Sequence, residues 1–327
     1  MLSVNRNALG VLRRLIERQV EYSVKVKNLA SGTTFIDAGI SSKGGFLAGE
    51  LITEICLGGY GKANLSFMTH GDMNLPSIFV ATDYPAIATL GSQFAGWKIS
   101  VGKYFAMGSG PARALALKPK ELYEKIGYRD ESDVAVILLE TTEEPPAEAA
   151  EFIAKECNVA VDKLYIIATP TSSIAGSVQI SGRVVETGLH KLSEVGLNPK
   201  CVLYGCGSAP IAPIHPKFAK AMGRTNDMIL YGGSTMYVVD YESDEKLKEI
   251  TEKVPSSTSK DYGKPFADVF KEAGYDFYKI DPGLFAPASI MVNNVRTGSV
   301  FKAGEVNNAI IKQSIGCCSL KLQKSSS

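Results

Sequence analysis

Histidine is scarce in this sequence: among 327 residues only His70, His190 and His215 occur, alongside a single tryptophan, Trp97. So thin a supply leaves little from which to build a histidine-rich metal centre or a serine–histidine–aspartate relay. Cysteine does not fill the gap. Cys56, Cys157, Cys201, Cys206, Cys317 and Cys318 include no CxxC pair, and the adjacent Cys317 and Cys318 are badly placed to bond each other. Free thiols in a reducing compartment are expected, with no metal site. Long apolar runs are missing too. Those present, such as residues 134–139, fall far short of the roughly 20 residues a membrane helix needs. Residues 1–14 lack the basic start and sustained apolar stretch of a signal peptide. A cytoplasmic protein with no membrane partner is expected. Charge of one sign is also absent: 35 Lys and Arg stand against 34 Asp and Glu, without a run of five like charges. Nucleic-acid binding wants a basic stripe, so no nucleic-acid partner is expected. GxxxxGK[ST], GxSxG and HExxH do not occur.

What is present is an ordinary globular balance, 45% hydrophobic and 21% charged, with enough apolar side chain for a sizeable core. The length suggests two units. Helical spacing marks residues 5–18, 46–56, 119–126, 147–157, 245–254 and 265–273. A hairpin is expected over 22–38 and another over 289–302, with 306–314 closing the chain. Strand-like segments are 64–68, 78–81, the alternating stretch 98–106, the apolar run 134–139, then 163–168, 201–204, 228–231 and 236–240. Residues 174–195 read as one long helix weakened by Gly176, Gly182 and Gly188. The fold class is therefore α/β with mixed sheets. TTEEPP at 141–146 is the best linker, giving a first lobe over 1–140 and a second over 141–327, with segments free to cross. Two faint echoes pair early with late sequence: NLASGTTFIDAG (28–39) with NVRTGSVFKAG (294–304), and GSGPARALALKPK (108–120) with GSAPIAPIHPK (207–217). They suggest two similar lobes from a duplication, with a ligand cleft between them.

Two segments could carry chemistry. In TLGSQFAGW (89–97), Ser92 and Gln93 could hold a water or a heterocycle edge while Phe94 and Trp97 stack on it. The residues alone allow equally a turn whose aromatics enter the core. In QISGRVVET (179–187), Arg183 and Glu186 share a face if the segment is helical, amid apolar Ile180, Val184 and Val185. A carboxylate beside a fixed guanidinium stays ionised and oriented, while partial burial opposes ionisation; that competition tunes a general base. Spacing alone equally describes a surface ion pair worth only ~0.3–0.5 kcal/mol. His190 follows one turn after Glu186, where it could sit behind the carboxylate or serve as a capping or surface histidine. The glycine-rich GSGPAR (108–113) lacks the third glycine of a dinucleotide fingerprint.

Several strings together resemble one family: YPAIATLGSQFAGW (84–97), SVGKYFAMGSGPARALA (100–116), YRDESDVAV (128–136), VQISGRVVETG (178–188), TNDMILYGG (225–233) and YGKPFADVFKEAGYDFYKID (262–281). They are similar to the archaeal-type methenyltetrahydromethanopterin cyclohydrolases, from the MLSVN start to the final hairpin. The resemblance implies a hydrolase of one-carbon metabolism and methanogenesis. It would interconvert 5,10-methenyltetrahydromethanopterin and its 5-formyl form without metal or nucleotide cofactor. It also implies a homotrimer of two-lobed α/β subunits with the pterin between the lobes. Carried over residue by residue, it makes Arg183 and Glu186 catalytic, and Gln93, Phe94 and Ala95 part of the lining around the reacting carbon. The other readings are a non-catalytic pterin-binding protein and a nicotinamide-dependent oxidoreductase acting on the same carbon. Lys103, Arg113 and Lys264 are candidates to meet the acidic tail of the pterin.

Overall fold

Apolar residues at helical spacing make Val4–Glu17 the first helix (α1): Val4, Ala8, Leu9, Leu12 and Leu15 form its buried face, and the Ser3 side chain accepts from the Arg6 N–H as its cap. The computed structural model describes residues 2–317. The next elements are β1 (Lys25–Asn28), β2 (Thr34–Asp37), α2 (Phe46–Cys56), a long hairpin of β3 (Gly61–His70) and β4 (Met73–Thr82), and a π-helix (Ala86–Gln93). β5 (Trp97–Val101), β6 (Tyr104–Ser109), α3 (Arg113–Ala116), α4 (Lys120–Ile126), β7 (Ala135–Glu140), α5 (Ala147–Cys157) and β8 (Leu164–Ala168) follow. The later part runs α6 (Ile174–Ser181), α7 (Val184–Glu194), β9 (Val202–Pro210), α8 (Phe218–Gly232), β10 (Ser234–Val239), α9 (Asp244–Glu252) and α10 (Phe266–Glu272). It ends with β11 (Ser289–Asn294), β12 (Val300–Gly304) and α11 (Asn308–Ile315).

The strands form two six-stranded mixed sheets, ordered β1-β2-β8-β7-β6-β5 and β12-β11-β10-β9-β4-β3. The two α/β lobes expected from the sequence correspond to these sheets. Both faces of the first sheet are covered. Ile36, Val136, Leu138 and Ile167 pack on α1 and α2, while Phe35, Ile137, Leu139 and Ile166 pack on α5. β7 is accordingly apolar almost throughout, as a strand buried on both faces should be. The second sheet alternates. Ile78, Val80, Tyr237, Val239, Ile290 and Val292 meet α7 and α9, whereas Phe79, Tyr204 and Met236 on its other face are exposed.

Sheet membership does not follow the division at 140/141. β3 and β4 join the second sheet by pairing with β9, and β8 joins the first by parallel pairing with β2 and β7. The echoed hairpins, β1–β2 and β11–β12, each close one edge of a sheet.

Three expectations need correction. Residues 98–106 form a hairpin, because Gly102 with φ +58° turns the chain between β5 and β6. Residues 228–231 end α8; an apolar run of four cannot be told from a strand by periodicity, and here it packs with Phe266 of α10 and Ile311 of α11. Residues 174–195 form two helices, broken at Gly182 and Arg183 where α2 crosses closely: a Cβ on Gly182 would lie 2.5 Å from the Thr53 methyl. Cys318 and the serine tail lie outside the described residues.

The α2–α6 crossing is tightest at Gly49, where a Cβ would stand 2.5 Å from Val178 Cβ. Ala there gains about 1 kcal/mol of helix propensity but meets overpacking at the ~3 kcal/mol end of its range. Gly49→Ala is therefore expected to lose about 2 kcal/mol net in urea unfolding; an unchanged midpoint would refute the close crossing.

Candidate active site

The break between α6 and α7 comes where the last α-type hydrogen bond is followed by a tighter one that skips only three residues. Gly182 N–H donates to Val178 O at 2.9 Å, and Arg183 N–H to Ile180 O at 3.0 Å. Arg183 becomes the residue that caps α7, and Glu186 falls in its first turn. A carboxylate there lies at the positive end of the helix dipole. Arg183 Nη1 lies 3.4 Å from Glu186 Oε2, and the two side chains are only 12% and 7% exposed. The spacing read from the sequence is thus a sheltered pair, not a surface one.

Opposite α7 stands the end of the π-helix, whose last carbonyl groups cannot be satisfied by the helix itself. Each finds an outside donor. Arg113 Nη1 donates to Leu90 O at 3.2 Å and Ser92 O at 3.1 Å; Tyr123 Oη donates to Gly91 O at 3.0 Å; Arg183 Nη1 donates to Gln93 O at 2.7 Å. Gln93 also reaches back: its Nε2 donates to Gly182 O at 3.0 Å. The π-helix end and the α6–α7 break are therefore bonded in both directions. Phe94 leaves the helix with extended ψ and stacks on His190, with ring centroids 4.8 Å apart and planes at 24°.

These groups border a cavity of about 510 Å³, between the approach to the first sheet and the helices laid on the second. Phe94, Ala95, Arg183 and Glu186 line it. Gln93 does not; its side chain is fully buried behind the wall, tied to Gly182. Trp97 is a core residue tilted against Phe152, and Ser92 donates to Cys56 O, so neither faces the cavity. Arg113 of the GSGPAR string turns fully inward. Lys264 pairs with Glu272 and Lys103 is exposed at a turn, so none of the three basic candidates lines the cavity.

The structure adds His190 and Lys191 to the lining, and Asn226 and Gly283 on the far wall. Lys191 Nζ donates to Gly283 O at 3.2 Å, and burial pulls its pKa below the ordinary lysine value against the raising effect of Asp281 and Glu194. Positions 186, 190 and 194 follow helical spacing, so they were visible on one face once α7 was known to start at Val184. Among the described residues, no three His, Cys, Asp or Glu side chains converge as metal ligands, and no helix is long and apolar enough to cross a membrane.

Comparison with known proteins agrees with the early likeness. A family model described as "Cyclohydrolase (MCH)" matches residues 3–315. The methenyltetrahydromethanopterin cyclohydrolase of Methanothermobacter thermautotrophicus is 50% identical over 321 residues, 97% of this chain and 100% of that protein. The protein of the same name from Methanocaldococcus jannaschii is 50% identical over 319 residues, covering 97% and 99%. That from Methanococcoides burtonii is 46% identical over 316 residues, again covering 97% and 99%.

Because Tyr123 is buried and its hydroxyl serves the Gly91 carbonyl, Tyr123→Phe removes one donor and little else. Leaving a buried acceptor unpaired costs about 1–2 kcal/mol. Thermal and urea unfolding should show that loss; stability equal to wild type would mean the carbonyl does not depend on this bond.

Proposed function

The chain belongs to the methenyltetrahydromethanopterin cyclohydrolase family, and from that premise we propose that it hydrolyses 5,10-methenyltetrahydromethanopterin to the 5-formyl form, reversibly, with Glu186 as the general base. The observation that carries this reading is the Arg183–Glu186 pair, 3.4 Å apart, sheltered, and lining a cavity of about 510 Å³.

The substrate carbon lies between two nitrogens that share a positive charge, so it is electrophilic before it meets the protein. The reaction needs a positioned water, a base and a proton for the departing nitrogen, and in this proposal no metal and no nucleotide. Glu186 takes one proton as the water oxygen bonds to carbon. It returns that proton to N10 as the C–N10 bond breaks, and then accepts the hydroxyl proton as the formyl C=O forms. That second proton passes to solvent, so the charge of the cation leaves as one proton. Arg183 is held by the Gln93 carbonyl and cannot swing away with substrate or product. It orients the Glu186 carboxylate, and together they form a neutral pair that does not repel a cation. Ala95 lines the cavity and its N–H has no acceptor among the described residues, so that N–H is the candidate to hold the oxygen as it becomes a carbonyl. Phe94, stacked on His190, offers a flat wall to a flat heterocycle. Gln93 contributes through its main chain and its hold on Gly182.

Assembly as a cytoplasmic homotrimer is part of the same proposal. Its structural support is the uncovered face of the second sheet, where Phe79, Tyr204 and Met236 are exposed on strands that would otherwise present apolar surface to water.

Ring opening removes the extended chromophore of the methenyl cation, so absorbance follows turnover directly. Glu186→Gln is expected to lower the rate by about 10²–10⁴-fold in both directions. Near-normal turnover in that variant would remove Glu186 from the mechanism, and substrate binding by the wild-type protein without chromophore loss would make it a binding protein.

A further inference from the structure

The helix that carries Glu186 is held from behind by one hydroxyl. Tyr237, on β10, is 0% exposed, and its Oη donates to Val185 O at 2.6 Å. That carbonyl lies in the first turn of α7, where a regular helix would offer it to the Leu189 N–H alone. The Leu189 amide faces the same hydroxyl. Within this span stands Gly188, where a Cβ would lie 2.3 Å from Tyr237 Oη and 3.2 Å from Thr235 Oγ1. At its other end the ring lies against Gly205, its cross-strand partner on β9, where a Cβ would stand 3.2 Å from both Cδ1 and Cε1. Two glycines thus leave the space that this one side chain fills.

For folding alone the arrangement is a poor choice. Glycine weakens a helix interior, and a helical carbonyl that already has an amide partner needs no second donor. Alanine at 188 with phenylalanine at 237 would bury no polar group there. What the hydroxyl and the notch supply is position. Arg183, which caps α7, is tied to Gln93 O of the π-helix at 2.7 Å. Val185, two residues on, is tied to β10. Glu186 comes next, so its backbone follows one bond to each side of the cavity, and its side chain is only 7% exposed. A turn with one of these ties can roll about it, and a displacement of about 1 Å at a reacting group can cost roughly 10²-fold in rate.

We propose that Tyr237 is a positioning residue for the hydrolysis: its hydroxyl, seated in the Gly188 notch, pins the first turn of α7 to the second sheet and so sets where the Glu186 carboxylate meets the substrate carbon. Tyr237 does not line the cavity and acts only through the helix. Burial pushes its pKa far up, so the proton it donates stays in place. The inference rests on Glu186 being the general base.

The test compares kcat and KM of the full-length protein with those of Tyr237→Phe, Gly188→Ala, the double variant and Glu186→Gln, at a temperature where near-UV circular dichroism shows each to be folded. Tyr237→Phe keeps the ring and removes the tie, so kcat should fall about 10-fold while KM stays within about twofold. A hydroxyl that served stability alone would lower the urea midpoint and leave kcat unchanged. Gly188→Ala drives a methyl into the hydroxyl and should lower kcat about 10- to 100-fold. In the double variant the methyl takes the place the hydroxyl has left, with the ring Cζ at 3.2 Å. Its kcat should therefore match that of Tyr237→Phe, not the product of the two losses. Wild-type kcat in a folded Tyr237→Phe, a KM that rises as much as kcat falls, or fully multiplied losses in the double variant overturns the proposal. Should Gly188→Ala not fold, Tyr237→Phe decides alone; should Tyr237→Phe not fold, the double variant decides, lowered kcat supporting and wild-type kcat overturning. An active Glu186→Gln sinks the general-base reading itself. An inert Glu186→Gln beside an unimpaired Tyr237→Phe sinks only the role of Tyr237.

Discussion

A π-helix ends with carbonyl groups pointing onward and no amide of its own to receive them. At Leu90, Gly91, Ser92 and Gln93 the donors come from four residues: Arg113, the Gly110 N–H onto Ser92 O, Tyr123 from α4, and Arg183 from the start of α7. Satisfying the helix end and assembling the site are one event. Arg183 cannot leave its carbonyl without exposing a buried acceptor, and Gln93 cannot move without releasing Gly182. Pre-organisation follows directly, because the groups that would meet a reacting cation are already held by main-chain atoms.

The other half of the constraint comes from the second sheet. Tyr237 Oη on β10 donates to Val185 O at 2.6 Å, and Gly188 leaves room for the same hydroxyl, which a Cβ would approach to 2.3 Å. The first turn of α7 is therefore seated on one sheet, while the π-helix leads directly into β5 of the other. The Arg183–Glu186 geometry reports how the two sheets sit against each other. Small residues at crossings, Gly49 against Val178 and Gly182 against Thr53, set that spacing. The burial of apolar faces on both sides holds it.

Much of this was legible in the sequence, for identifiable reasons. α1, α2 and α5 announce themselves because their apolar residues recur at helical spacing and their ends carry Ser, Gly or Pro signals. β7 is legible as a short run that is apolar up to its last residue. The end of α8 was not, because Met228 to Tyr231 is apolar on every side where α10 and α11 enclose it. The break at Gly182 was hidden because its cause, Thr53 on α2, lies far away in sequence. Arg183 and Glu186 were visible as a spacing, but their shelter was not. Ala95 stood out only through family likeness, and Phe94 read from its residues was equally a core aromatic, since a π-helix has no sequence period that would foretell which residue emerges from its end. Arg113 was read as a candidate for the acidic tail of the pterin, because nothing in GSGPAR says that the chain turns its cation inward.

The exchange of strands between the sheets bears on how the chain comes together in time. β4 pairs with β9 and β2 with β8, so each sheet waits for residues well over a hundred positions downstream before its central ladder can close. During synthesis the long β3–β4 hairpin emerges early with an unpaired edge and must be kept from pairing elsewhere. Such non-local topology slows folding and binds the two lobes into a single cooperative unit. Neither lobe is a contiguous stretch of chain that could be cut out and leave the other whole.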